Sequence, residues 1–350
     1  VTALCRHFGI CGGCAHQGMA DYRAFKRALV VDALARHGIE APVEEIVEVP
    51  PATRRRATLK ALKGEDGVAL GFHAAGTHDI SDLYECFVLT PRLVALVPKL
   101  REMLEALLRA GEFAELRLVD TDSGIDLSLR WHKTNDAATV AELARWAAKL
   151  KLARVARHGE TLIELARPMV RLGKADVFVP SEAFLQPTRQ GELALQSFVL
   201  AALTGAKRVA DLFAGCGTFA LVLAERARVH AVEIDAAMLE ALAAASRATP
   251  GLKPVTVERR NLFKHAISAS DISGYDAVVL DPPRAGALAQ VHALARSKVE
   301  HVAHVSCDAD SFARDARILI DGGYRLMRVV PVDQFLWSSH IELAASFGRS

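Results

Sequence analysis

The hydrophobic rhythm of the chain changes near its middle. From "KRVADLF" onward, short Val-rich apolar runs recur at "RVHAVEI", "LKPVTVE", "YDAVVLD" and "VEHVAHVS", mostly separated by Ala/Leu-rich stretches at helical spacing such as "AAMLEALAAASRA". Runs of this kind are strands buried on both faces, and their alternation with helices predicts an α/β, Rossmann-like unit with a mostly parallel, doubly wound sheet. The first half has another pattern. "DYRAFKRALVVDALARHGI" carries helical apolar spacing and stops at Gly38, while "PATRRRATLKALKG" and "GVALGFHAAG" are strand-like and meet near a Gly-Glu-Asp-Gly turn. A helix over 92–110, short strands around 114–131, a helix near 137–150 and more strands within 152–179 make this half α+β with mainly antiparallel pairing. The change falls around "VPSEAFLQPTRQG", which predicts a division into 1–180 and 181–350, with helix 20–38 able to pack on the second part.

Length and composition narrow the classes. At 350 residues and 51% hydrophobic, the chain can bury two cores. A net charge of +2 neither requires nor excludes a nucleic-acid partner, because a local basic patch suffices. No apolar run reaches membrane-span length and no basic-then-apolar leader opens the chain, so the expectation is a cytoplasmic protein with no membrane partner, acting as a monomer. Six cysteines are too sparse for a disulfide scaffold.

The chemistry concentrates after the strands of the second half. "VADLFAGCGTFAL" runs from a strand through Gly215-x-Gly217 into a helix, where glycines let the backbone turn tightly and approach a ligand. With Ala220 it meets the relaxed G-x-G-x-x-A pattern, a weak signal alone. Glu233 ends the second strand, where a carboxylate can accept ribose hydroxyls; Asn261 follows the third and can bracket an adenine; Asp281 ends the fourth. An adenosine-bearing ligand fits, either NAD or S-adenosylmethionine. Asp281-Pro282-Pro283 resembles the D/N-P-P element of methyltransferases acting on nucleobases. Enzymes that methylate exocyclic amines usually continue with an aromatic residue; here Arg284 follows, which favours a carbon target.

Cys307, in "AHVSCDADSFARD", ends the fifth strand. Uracil C5 is a poor nucleophile until a thiolate adds to C6 and pushes electron density onto it, after which a base must remove the C5 proton. Cys307 suits the first role, and Glu342 in "WSSHIELAASF" the second. Arg284 would favour the thiolate and Asp308 would oppose it. Cys216 is expected to be a small filler inside the glycine loop.

Taken together, "FLQPT", "DLFAGCGTF", "VEID", "NLF", "DPPRAG", "SCDADSFARD" and "SSHIE", in this order, resemble the RNA 5-methyluridine (uracil-C5) methyltransferase family across the whole second half. The resemblance implies a class I methyltransferase domain, with S-adenosylmethionine bound by Gln186, Phe213, Thr218, Glu233, Asn261 and Asp281. It also implies Cys307 as nucleophile and Glu342 as base. Two details depart from the family: Asp308-Ala309 stands where Asn-Pro is more frequent, and Leu336-Trp337 where a Pro often occurs.

The first half holds a second set of thiols. Cys5, Cys11 and Cys14, with the remote Cys86, offer four ligands acceptable to zinc or to an iron–sulfur cluster. A compact trio plus one distant ligand is more typical of a cluster; zinc stays open with His7 and His16 as substitute ligands, as do unligated thiols. The family's cluster-bearing branch is similar at "CGGCAHQ", "YRAFK", "RRRATLK" and "LGFHAAGTHDISDLYEC". That similarity implies a [4Fe–4S] cluster on the four cysteines, with a structural role, and RNA as partner: 23S rRNA ahead of tRNA. Arg54, Arg55, Arg56 and Lys60 of "TRRRATLK" are expected to lie along phosphates or to form a solvated strand face. Phe184, Phe335 and Trp337 are candidate surfaces for an extruded base, although core packing is the commoner role for any one such residue. Two other classes remain. An NAD-dependent oxidoreductase rests on G-x-G-x-x-A alone. A non-catalytic RNA-binding or redox-sensing protein on a methyltransferase fold is opposed by the presence of both Cys307 and Glu342.

Overall fold

Two sheets organise the computed structural model, which describes residues 4–132 and 136–349. The chain begins with α1 (Tyr22–Arg36), β1 (Val47–Glu48), β2 (Arg56–Gly64), β3 (Gly67–His73), β4 (Ile80–Asp82), α2 (Pro91–Leu107), β5 (Phe113–Thr121), β6 (Gly124–Trp131), α3 (Ala137–Leu150), β7 (Leu152–Arg157), β8 (Glu160–Glu164), β9 (Met169–Leu172) and β10 (Ala175–Phe178). It continues with α4 (Arg189–Ala202), β11 (Arg208–Leu212), α5 (Ala220–Leu223), β12 (Arg228–Glu233), α6 (Ala236–Ala248), β13 (Val255–Arg259), α7 (Ala269–Ile272) and β14 (Ala277–Leu280). It ends with α8 (Leu288–Ala295), β15 (His301–Ser306), α9 (Ala309–Asp321), β16 (Arg325–Asp333) and β17 (Glu342–Gly348).

The first sheet has seven strands in the order β4-β3-β2-β5-β6-β7-β8. Its pairs are antiparallel except β6–β7, which α3 joins as a crossover. Ala57, Leu59 and Ala61 alternate inward along β2 and meet Leu93, Leu100 and Leu104 of α2 in one core. The helices are set by local chemistry: Pro91 opens α2 at a position where the missing N–H costs nothing, and Asp136 caps α3 by accepting from the Thr139 N–H.

The second sheet has eight strands in the order β1-β16-β17-β15-β14-β11-β12-β13. β11 to β15 are parallel, and the order reverses between β11 and β14, the switch point at which such sheets open a ligand crevice. α1, α8 and α9 cover one face, through Val30, Leu34, Leu294 and Phe312 among others. α4, α5 and part of α6 cover the other, through Leu195, Leu223 and Leu242. The first half therefore contributes to this sheet twice: α1 packs on it and β1 pairs with β16. The ribbon β9–β10 also packs towards the second half, with Val170 and Val177 against Leu221, Ala245 and the buried Cys216.

β17 runs antiparallel between β15 and β16, with Ser306 opposite Leu343 and Val332 opposite Glu342. An antiparallel strand in this place begins at the edge where its parallel neighbours end. Glu342 therefore reaches the edge that Asp281 and Cys307 reach at the ends of β14 and β15. The segment before β17 is pinned from α1. Fully buried Lys26 lies 2.8 Å from Asp333 and donates to the carbonyls of Phe335 and His340; the Tyr22 hydroxyl donates to Asp333 (2.7 Å) and accepts from the Trp337 N–H (2.6 Å).

Candidate active site and thiol pocket

The glycine loop after β11 owes its shape to positive φ at Phe213 (63°), Gly215 (55°) and Gly217 (97°). A Cβ on Gly217 would stand 2.9 Å from Leu242, so close packing demands glycine there, whereas a Cβ on Gly215 would meet nothing within 4 Å. Open space over Gly215 is what a ligand's approach to this backbone requires. Buried Glu233 braces the loop: one oxygen accepts from Gly215 N–H (3.1 Å), the other from Ile234 (2.6 Å) and Asp235 (3.0 Å). Three backbone donors leave about one of its four lone-pair sites for a ribose hydroxyl. The Phe213 and Phe263 rings sit 5.5 Å apart at 54°. The Asn261 carbonyl oxygen caps the next turn, accepting from Phe263 (3.1 Å) and Lys264 (3.2 Å). Thr218 is half-buried in the loop, its carbonyl accepting from Gln196 (2.9 Å). These residues fit an adenosine-bearing ligand. Sequence reasoning passed over Asp211 within "VADLF". It is fully buried on β11, and its carboxyl is pushed well up, first by burial and then by Asp281 and Glu233.

Beside this loop lies a cluster of polar groups at the same edge. Gln186 donates to Asp281 (3.3 Å), Gln334 donates to Gln186 (2.7 Å), and Gln334 also donates to Glu342 (3.0 Å). Burial pushes Asp281 up to about 7, with Glu233 adding and the Gln186 hydrogen bond opposing. Glu342 is raised well above the usual carboxylate range by burial and by Asp281, against the Gln334 bond. The half-buried Cys307 thiol is pushed up to about 12 by burial, then by Glu342 and Asp281, while Arg284 pulls the other way. Arg284 is mostly exposed and lies 3.5 Å from Asp308, so its effect is shared. Asp308 has a second task that explains its place after Cys307: its side chain caps α9 by accepting from Ser311 N–H (2.9 Å). Cys216, by contrast, is buried in the core as expected of a filler.

Cys5, Cys11, Cys14 and Cys86 line one cavity of about 360 Å³, together with His7 and Arg54. Cys14 is pushed up to about 12, first by burial, then by Cys86, Cys11 and Cys5, and the Arg54 guanidinium opposes this. Four thiols lining one cavity beside a cation form a donor set suited to a metal centre. His7 also belongs here: ligand atoms of Cys5, His7 and Glu85 lie within 4.8 Å of one another. His16 instead packs its ring on Phe25 at 4.4 Å. The loop is clipped in place by Gly12 N–H to His73 O (3.2 Å) and His16 N–H to Trp337 O (2.9 Å), which joins it to the segment before Glu342. Phe335 and Trp337 line the same cavity, whereas Phe184 lies outside it, exposed.

The basic strand is not a free cationic face. Arg55 is buried, pairs with Glu192 (2.6 Å) and donates to the Gln186 carbonyl (2.9 Å). Arg56 donates to the Leu185 carbonyl and stacks over Phe184 at 4.6 Å; Lys60 pairs with Glu115; Arg54 faces the thiols. Satisfying buried carbonyls and a carboxylate turns Arg55 and Arg56 inward, where they brace residues 185–192.

A reversal of strand order at β11/β14, a braced glycine loop and carboxylates at strand ends define an α/β methyltransferase fold. The crystal structure of Pyrococcus abyssi tRNA (uracil-54, C5)-methyltransferase in complex with S-adenosyl-L-homocysteine has the same fold, with a TM-score of 0.75 over 95% of this chain and 84% of that one, at 21% identity. The family model described as tRNA (Uracil-5-)-methyltransferase matches residues 26–349. The chain is 47% identical over 344 residues to an uncharacterized RNA methyltransferase of Brucella suis biovar 1, covering 97% of this chain and 83% of that protein. It is 33% identical to the 23S rRNA (uracil(1939)-C(5))-methyltransferase RlmD of Cronobacter sakazakii, covering 99% of this chain and 82% of that protein. The chain belongs to the tRNA (Uracil-5-)-methyltransferase family: it is an S-adenosylmethionine-dependent RNA (uracil-C5) methyltransferase. Among the described residues no helix is long and apolar enough to cross a membrane.

Proposed function

We propose that this enzyme methylates C5 of a uridine in 23S rRNA, with Cys307 as nucleophile and Glu342 as the base that removes the C5 proton. The observation that carries the reading is the meeting of Cys307 with Glu342 and Asp281 at one sheet edge, from residues far apart in sequence. S-adenosylmethionine, held by Gln186, Phe213, Thr218, Glu233, Asn261 and Asp281, supplies an electrophilic methyl group. The protein does the rest. Arg284 favours the thiolate of Cys307, whose sulfur adds to C6 and drives the ring's electron pair towards C5. After C5 is methylated, Glu342 takes its proton, the C5–C6 double bond re-forms, and Cys307 is expelled.

Residues 1–180 supply RNA binding and residues 181–350 the methyl transfer. Cys5, Cys11, Cys14 and Cys86 would hold a [4Fe–4S] cluster that organises the loop; the group Cys5, His7 and Glu85 favours zinc as the second reading. Ribosomal RNA is preferred to tRNA because the chain matches the rRNA-modifying relative along nearly its full length, although the family description and the solved structure are named for tRNA. The test incubates purified protein with labelled S-adenosylmethionine and unmodified 23S rRNA or tRNA, and maps the label. Label at one 23S uridine is expected; label in tRNA alone would overturn the choice of RNA. Metal analysis of the same protein separates iron with sulfide from zinc.

A further inference from the structure

Gln334 has no part in the motifs above, yet it is almost fully buried at the centre of the polar cluster. Its amide nitrogen has two hydrogens, and both are committed: one to Gln186 Oε1 and one to Glu342 Oε2. Exchanging its oxygen and nitrogen would aim a carbonyl at two acceptors, so the network fixes the orientation of the amide. Gln186 passes the connection on by donating to Asp281. The fold leaves room for this side chain at a glycine: a Cβ on Gly191, in the first turn of α4, would stand 2.6 Å from Gln334 Oε1 and 3.0 Å from its Cβ.

We propose that Gln334 is a positioning residue for proton abstraction: through Glu342 Oε2 it orients the base carboxylate, favours its ionised form, and ties it through Gln186 to Asp281. This inference rests on the reading of Glu342 as the base. The ionisable groups facing Glu342 are Asp281 beyond β14 and Cys307 beyond β15, both of which disfavour a second negative charge. Of the other charged groups on the surrounding elements, Asp333 pairs with Lys26 of α1, Glu192 of α4 with Arg55, and Arg284 with Asp308, while Asp211 of β11 stands against Asp281 and Glu233. Gln334 is therefore the donor that acts on the carboxylate itself, and one charge-assisted hydrogen bond in a buried site moves a carboxyl by about one pH unit.

The test separates early from late steps. Gln334→Met and Glu342→Gln are each given ordinary RNA and RNA carrying 5-fluorouridine, with S-adenosylmethionine, over a pH series. Gln334→Met is expected still to trap fluorinated RNA, because trapping needs no proton abstraction, and any slowing of trapping through the lost bond to Gln186 should be smaller than the slowing of product release. With ordinary RNA its product release should slow roughly tenfold near neutral pH, and the ascending limb of the pH profile should move up by about one unit. Gln334→Glu, similar in size but lacking the donor, should move the limb further the same way. Glu342→Gln should accumulate the methylated adduct on ordinary RNA at every pH; if it does not, the assignment of the base falls and with it the premise. If it does, but Gln334→Met and Gln334→Glu release product with an unmoved limb, Glu342 stands and the role of Gln334 falls. Loss of trapping and release together in both Gln334 variants would make Gln334 a packing residue and equally overturn the proposal.

Discussion

Cys307 and Cys14 are both half-buried thiols pushed up to about 12, and they reach that state differently. Beyond burial, Cys307 is opposed by the carboxyls of Glu342 and Asp281, Cys14 by three other thiols. The supports differ as well. Cys307 follows a fully paired strand and precedes a capped helix, so regular structure fixes it. The loop carrying Cys5, Cys11 and Cys14 has little regular structure and is tied down by isolated backbone bonds to residues 73–75 and 337. A carboxylate neighbour can take up a proton in the course of a reaction; a thiol quartet is relieved by a metal centre. One arrangement suits turnover, the other lasting ligation.

Removing each thiol in turn tests that contrast, and the largest effect is expected at the strand end. Cys307→Ala should lower turnover by a factor on the order of 10⁴–10⁶ and leave the melting temperature close to wild type, measured by methyl incorporation and calorimetry. Glu342→Gln should cost about 10²–10⁴ in turnover. Cys14→Ser should do the reverse: if the four thiols hold the proposed [4Fe–4S] cluster, the visible absorbance and iron content it would give should be lost, with Cys307 still able to trap fluorinated RNA in the chains that remain folded. Equal damage to both sites from either substitution would erase the distinction.

Smaller effects probe the segment between them. Lys26 and Asp333 are both buried, so Lys26→Met should destabilise the protein by about 3–5 kcal/mol, and adding Asp333→Leu should recover much of it, as read by denaturant unfolding. The smallest effect concerns Asp281, whose carboxyl is raised from 3.8 to about 7 in the folded chain. Over that window the folded state holds a proton that the unfolded state has lost, so stability falls as pH rises through it. Asp281→Asn should remove the penalty while weakening cofactor binding. Its melting temperature should match wild type near about pH 4 and exceed it by a few degrees above about pH 7.

The strand-end residues were legible in the sequence because each follows an apolar run that announces a buried strand, and the sheet then brings Asp281, Cys307 and the head of β17 to one edge. The β2–β3 hairpin of the first sheet, with its Gly-Glu-Asp-Gly turn, was legible for similar local reasons. Gln334 was not: a glutamine between Asp333 and Phe335 has no periodic or motif signal, and only the juxtaposition with Gln186 and Glu342 gives it a task. β1 was equally silent, since two residues carry no alternation and their partner lies near the other end of the chain. Arg55 and Arg56 misled because a run of cations reads as a solvated face, whereas their partners, Glu192 and the carbonyls of Leu185 and Gln186, come from a distant segment.

The bond between the Cys307 sulfur and uracil C6 is the step on which the proposed reaction stands. Its most direct measurement is peptide mapping by mass spectrometry of the adduct formed with 5-fluorouridine RNA and S-adenosylmethionine. A methylated, fluorinated nucleotide is expected on the peptide containing Cys307, dependent on S-adenosylmethionine. An adduct on any other cysteine, or methylated product formed at a normal rate by Cys307→Ala, would contradict it.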